Sequence, residues 1–166
     1  MQKILVVDDA EINRELLLDM LKDDYQVETA EDGREAMKCL DRHPEEMAAV
    51  LLDLHMPQMD GFAVMAKMSE KEWLRKIPVL IISSELAVEA ESRCLELGAT
   101  DFIHKPFEGS IVKNRIRNAL CLYARKNQLE QKVEEQAVML RKQDEIIRIQ
   151  AEKLRETEPF RRLMME

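Results

Sequence analysis

Asp8 and Asp9 stand side by side at the end of a short apolar run, residues 3–7, and Asp53 closes a second run, 47–52. Ser83 directly follows a third, 78–82, and Lys105 follows a shorter mixed segment, 101–104. If each run is a strand of one parallel sheet, all five side chains share the rim beyond the strands' carboxyl ends, where open sheets of this kind bind ligands. Three carboxylates crowded together repel by several kcal/mol at an effective dielectric of about 20, so they hold protons or share a cation. A small hard cation is the better answer, since Mg²⁺ takes oxygen ligands, commonly one or two carboxylates with phosphate and water. A metal beside a carboxylate flanked by a lysine is a site for receiving a phosphoryl group. Mg²⁺ and Lys105 would neutralise the transferring oxygens while the Asp53 carboxylate attacks phosphorus in line. Any one of these residues alone is an ordinary solvated strand end; five on one rim are not.

The elements that must position them follow from periodicity. Residues 3–7, 47–52 and 78–82 are nearly continuous apolar runs, the pattern of parallel strands covered on both faces, and are expected at the centre of the sheet. Residues 25–30 alternate, and 101–104 are short and mixed, so these two read as edges. Helical spacing fills the gaps: Ile12, Leu16 and Met20; then Ala36, Met37 and Leu40, opened by Asp32 and Glu35 in a capping-box spacing; then residues 62–70; then 88–97, stopped by Gly98. Strand and helix alternating five times predict an α/β fold, a doubly wound five-stranded parallel sheet in the order 2-1-3-4-5.

Beyond Pro106 the character changes. Residues 110–157 contain neither proline nor glycine, which predicts one long helix, ended by Pro159. At ~1.5 Å per residue its last 40 residues would span about 60 Å, more than a domain of this size covers. Val133, Leu140, Ile147 and Leu154 recur every seven residues, and Leu122 and Leu129 extend the seam toward the N-terminus. The second core column passes to Gln136, Gln143 and Gln150, while the opposite flank offers Ala137, Asp144 and Ala151. Such a coiled coil is marginal and able to shift register, and it implies a partner helix, most simply from a second copy. The expected division is residues 1–122 as a globular domain, 123–158 as a signalling and dimerisation helix, and 159–166 as a tail.

At this point the sequence resembles the receiver domains of two-component response regulators over residues 1–122. The matching strings are ILVVDD at 4–9, LLDLHMPQMDG at 51–61, PVLIISS at 78–84 and GATDFIHKPF at 98–107. The resemblance implies a flavodoxin-like fold and assigns roles. Asp53 would be the phosphoacceptor, charged by a sensor histidine kinase, a phosphotransfer protein or a small phosphodonor. Asp8, Asp9 and Asp53 would hold Mg²⁺ together with the backbone carbonyl of His55. Ser83 and Phe102 would form the switch, Lys105 would bind the phosphoryl group, and the Lys105–Pro106 peptide is expected cis. Two departures stand out: Phe102 occupies a place where tyrosine is frequent, and Ser84 replaces a commoner alanine. His55 and Glu85, two residues beyond Asp53 and Ser83, are placed to touch an attacking water and set the phosphoryl lifetime.

Composition narrows the alternatives. Residues 1–117 carry 15 Lys+Arg against 24 Asp+Glu, which argues against a basic nucleic-acid footprint and suits a cation site. No run approaches the ~20 apolar residues of a membrane span, so a cytoplasmic protein is expected. Cys39, Cys94 and Cys121 are odd in number and lack metal-ligand spacing, and read as reduced thiols. His43 and His104 are assigned no chemistry, having no second His or Cys at ligand spacing. The competing reading is a Mg²⁺-dependent phosphohydrolase with an aspartyl-phosphate intermediate. Enzymes of the haloacid-dehalogenase type carry a second acid two residues after the nucleophile, where this chain has His55. The protein is therefore expected not to be a turnover enzyme, beyond self-phosphorylation from small donors and autodephosphorylation. The long helix resembles linkers that precede cyclic-di-GMP output domains, but no motif of such a domain is present; the chain reads either as a piece of a longer regulator, the favoured expectation, or as a stand-alone receiver with a dimerisation stalk.

Overall fold

The computed structural model describes residues 1–84 and 87–166. Five strands, β1 (Lys3–Val7), β2 (Gln26–Ala30), β3 (Met47–Asp53), β4 (Val79–Ser83) and β5 (Asp101–His104), alternate with helices α1 (Glu11–Leu21), α2 (Gly33–Arg42), α3 (Gly61–Glu70), α4 (Val88–Leu97) and α5 (Gly109–Met165). All strand pairs are parallel, and the sheet order is β2-β1-β3-β4-β5. The fold is thus the flavodoxin-like, doubly wound sheet expected from the alternation, with the alternating and the short segment at its two edges.

Continuous apolar strands make sense in this setting because successive side chains point to opposite faces, and helices cover both. Leu5, Val7, Val50, Leu52, Val79 and Ile81 pack on one side against Ala36 and Leu40 of α2, Val64, Met65 and Met68 of α3, and Cys94 of α4. Ile4, Val6, Leu51, Leu80 and Ile82 pack on the other against Leu17 and Leu21 of α1 and Val112, Ile116 and Ala119 of α5. Cys39, Cys94 and Cys121 are free thiols.

Local signals hold at the helix ends. The Asp32 carboxylate accepts the Glu35 N–H at 2.8 Å, whereas the Glu35 carboxylate accepts the N–H of Glu31 rather than that of the cap residue. Gly98 takes the left-handed conformation, φ 108°, after α4.

The chain divides into two compact units, Met1–Ala124 and Arg125–Glu166. The second consists of α5 residues up to Met165, and Pro159 lies inside the helix instead of ending it. The fixed φ of proline is itself helical, so it can occupy a helix at the loss of the hydrogen bond its N–H would give to the carbonyl of Arg155. No helix among the described residues is long and apolar enough to cross a membrane.

Candidate functional site

β1 carries Asp8 directly past its last residue, and the Asp8 N–H continues the sheet by donating to the Ala30 carbonyl at 3.2 Å. Asp8 is fully buried. Its carboxylate accepts the Ala10 N–H at 2.9 Å and the Asn13 side-chain amide at 3.2 Å, while the Arg14 guanidinium donates to its carbonyl at 2.7 Å. The residue that caps α1 and the helix's first turn therefore hold this aspartate with three hydrogen bonds. Asn13 and Arg14 were missed at the sequence level. Their only signal is position, five and six residues past a buried acid, on the turn that faces back over it.

Asp53 is the last residue of β3 and only 4% exposed. Its place depends on Gly61, which opens α3. A Cβ there would overlap the Asp53 carbonyl oxygen and come 2.9 Å from Leu54 Cα. The Gly61 N–H instead donates to the Leu54 carbonyl at 3.0 Å. Asp60 caps α3 by accepting the Ala63 N–H at 2.8 Å, and Gln58 turns the loop with φ 65°. On the neighbouring side, Gly33 donates to the Met59 carbonyl at 3.2 Å, tying this loop to α2.

Ser83 ends β4, nearly buried, and its carbonyl accepts the Lys105 N–H at 3.0 Å. The Lys105–Pro106 peptide is cis. The Lys105 ammonium lies 3.0 Å from a carboxylate oxygen of Asp8 and 3.5 Å from one of Asp53. Carboxylate oxygens of Asp8, Asp9 and Asp53 all lie within 4.8 Å of one another. The five residues picked out by spacing thus meet on one rim. Phe102, on β5, is partly buried against the cluster that α2, α3 and α4 cover. His55 is exposed and gives its backbone N–H to the Asp53 carboxylate. Glu85 lies outside the described residues. His43 and His104 are exposed, each within 4.0 Å of a glutamate, Glu45 and Glu91 respectively.

Burial raises the Asp53 pKa above the ordinary carboxylate value; Lys105 opposes this, Asp8 reinforces it, and the His55 N–H opposes it. One ammonium against three carboxylates leaves a formal charge of about −2 when all are ionised, and every donor is a hard oxygen. That set, buried at Asp8 and Asp53 and exposed at Asp9, fits a divalent, oxygen-seeking cation.

Comparison with known proteins agrees with this geometry. Residues 4–117 match the response regulator receiver domain. The two-component response regulator ORR11 of Oryza sativa subsp. indica is 35% identical over 118 residues, covering 70% of this chain and 80% of that protein. The protein-glutamate methylesterase/protein-glutamine glutaminase of Bacillus subtilis is 37% identical over 138 residues, covering 80% of this chain and 35% of the relative. A chain of the CheX–CheY–BeF3–Mg²⁺ complex from Borrelia burgdorferi superimposes with a TM-score of 0.66 at 29% identity, over 70% of this chain and 87% of that one. With its sheet order, its acidic rim and its match over most of the globular unit, the chain belongs to the family of response regulator receiver domains.

Proposed function

We propose that the protein is a phosphoacceptor switch of a two-component relay, in which Asp53 receives a phosphoryl group and the C-terminal helix carries the signal onward. The observation that carries this reading is the Asp53 carboxylate, buried at a strand end with the Lys105 ammonium 3.5 Å away and Asp8 and Asp9 beside it. The donor is a phosphohistidine of a sensor kinase or phosphotransfer protein, or a small phosphodonor. An Asp53 carboxylate oxygen forms the new bond to phosphorus as the bond to the donor breaks, and the donor's leaving group departs with the electron pair.

Asp8, Asp9 and Asp53, with the His55 carbonyl, are the residues that would hold Mg²⁺; when bound, it offsets the negative charge of the phosphoryl oxygens. The presence of BeF3 and Mg²⁺ in the Borrelia complex supports this assignment. Lys105 neutralises a phosphoryl oxygen and, by its contact to Asp8, ties the fifth strand to the site. The Ser83 hydroxyl binds the same oxygens and shifts with them, and Phe102 moves into the space that Ser83 leaves. His55 and Glu85 set the lifetime of the phosphoryl-aspartate through access of water. Residues of the long helix join a second copy of the chain, so that a change around Ser83 and Phe102 alters the output.

Incubation with Mg²⁺ and acetyl phosphate, followed by intact-mass measurement, tests the reading. An acid-stable, base-labile adduct that disappears in Asp53→Ala is the expected result. No adduct, or an unchanged adduct in Asp53→Ala, would overturn it.

A further inference from the structure

In the unit Arg125–Glu166 the seven-residue column Val133, Leu140, Ile147 and Leu154 is 60–64% exposed. Three places on, the column is Gln136, Gln143 and Gln150, about 60° around the helix at ~100° per residue. The same angle further on come Met139, Ile146 and Phe160, which are also exposed. The glutamines are therefore bracketed by the leucine row on one side and, on the other, by a column that is apolar at Met139, Ile146 and Phe160 and basic at its remaining places. The alternative column Ala137, Asp144 and Ala151 lies on the other side of the leucine row, away from this bracket. The ion pairs Arg141–Glu134 and Arg148–Glu145, each 3.3 Å, lie on the opposite face of the helix.

Charge then distinguishes one arrangement. The column that contains Met139 has only cations among its charged members, Arg125, Lys132 and Lys153. The column on the leucine row's other flank, which contains Ala137 and Ala151, has only anions among its charged members, Glu130, Asp144 and Glu158. When two such helices run parallel and in register, each residue of the first column faces the second copy's residue five places on. Arg125 then meets Glu130 and Lys153 meets Glu158, while Lys132 meets Ala137 and Ile146 meets Ala151. No like charges meet between these two columns, in which Met139 faces Asp144; within the leucine row only the terminal members Lys126 and Arg161 are charged, each facing its own counterpart at an end of the seam. Run antiparallel, each column faces itself, cations against cations and acids against acids.

We infer that residues 125–165 form a parallel, in-register coiled coil with a second copy of this chain, with Gln136, Gln143 and Gln150 each facing its own counterpart across the axis. This rests on the reading of the helix as the transmitting element. Facing glutamines can exchange amide hydrogen bonds, whereas a slip of one heptad sets Gln136 against Leu129; polar core layers select register in this way at a cost in stability.

Thiol cross-linking of the full chain, in a Cys121→Ser background that removes the exposed native thiol, tests orientation and register. Gln136→Cys and Gln150→Cys should each give covalent dimers under mild oxidation at least about tenfold faster than Glu134→Cys and Arg148→Cys, because association raises the effective thiol concentration at the seam. Cross-linking only when Gln136→Cys and Gln150→Cys are mixed would mean an antiparallel pair and overturn the inference. So would rates equal to those of the outward-facing controls, with or without acetyl phosphate. In sedimentation, Lys153→Glu should weaken the dimer several-fold; a strengthened dimer contradicts the parallel arrangement. Intact mass on the same samples reads Asp53 separately: an adduct without cross-links removes the dimer alone, and cross-links without an adduct remove the phosphoacceptor assignment alone.

Discussion

The same residue types mean different things in the two units. Leu5, Leu51 and Ile81 of the receiver unit are fully buried, whereas Leu140, Ile147 and Leu154 of the helical unit keep 60–63% of their surface exposed. In the first, apolar runs feed a core that the chain builds for itself, layer against layer. In the second, a single row repeats every seven residues on one helix, and only another helix can cover it. Chemistry separates the units as well: the acidic rim is confined to the receiver, and the helix carries nearly balanced charge, sorted by sign in the two columns that flank the leucine–glutamine seam.

Paired substitutions test this contrast. Leu52→Ala should cost the receiver about 2–5 kcal/mol in denaturant unfolding, the usual range for emptying a packed core site. Leu140→Ala should leave the receiver transition within about 0.5 kcal/mol, as a change outside its core does. Equal losses in both would break the division into two units.

A smaller effect sharpens the account of how the receiver holds its site. Gly61→Ala must displace either the Asp53 carbonyl or the start of α3, and should cost about 1–3 kcal/mol while slowing adduct formation on Asp53. Gly109→Ala, whose new Cβ would sit an ordinary 3.9 Å from Met20 Cγ, should be neutral or slightly stabilising. If both variants accept phosphoryl groups like the parent, the close approach at Gly61 does not position the acceptor.

The smallest effect concerns the charge on Asp53. Burial lifts its folded-state pKa above the unfolded value, so ionisation costs stability. That cost is absent below the unfolded pKa of about 3.9, grows as pH rises from there to the folded value, and is constant above it. In metal-free buffer Asp53→Asn should therefore be slightly more stable than the parent at neutral pH, and the gain should vanish in acid. A loss of stability at neutral pH would mean that the Lys105 contact outweighs desolvation.

Asp53 and its neighbours were legible because strands ending in parallel place the residues just past them on one rim, and apolar runs mark where strands end. The edges were legible too, since only the segments at 25–30 and 101–104 lack a continuous apolar run. Capping at Asp32 and the left-handed turn at Gly98 are local and could be read directly. Asn13 and Arg14 could not, because nothing in an amphipathic helix says which polar residue of its first turn faces back to a strand end. Nor could the course of the helix through Pro159, since the expected stop rests on a preference of moderate energy.

By itself, then, the order of residues determined the layering of the sheet, the membership of the acidic rim and the seven-residue row, because each is a matter of periodicity along one chain. Only the tertiary structure decided that Lys105 sits nearer Asp8 than Asp53, that Asp8 is fully buried while Asp9 is exposed, and that Gly61 leaves no room for a side chain beside the acceptor. Those are distances between segments far apart in sequence, set by strand register and loop geometry that no single segment encodes.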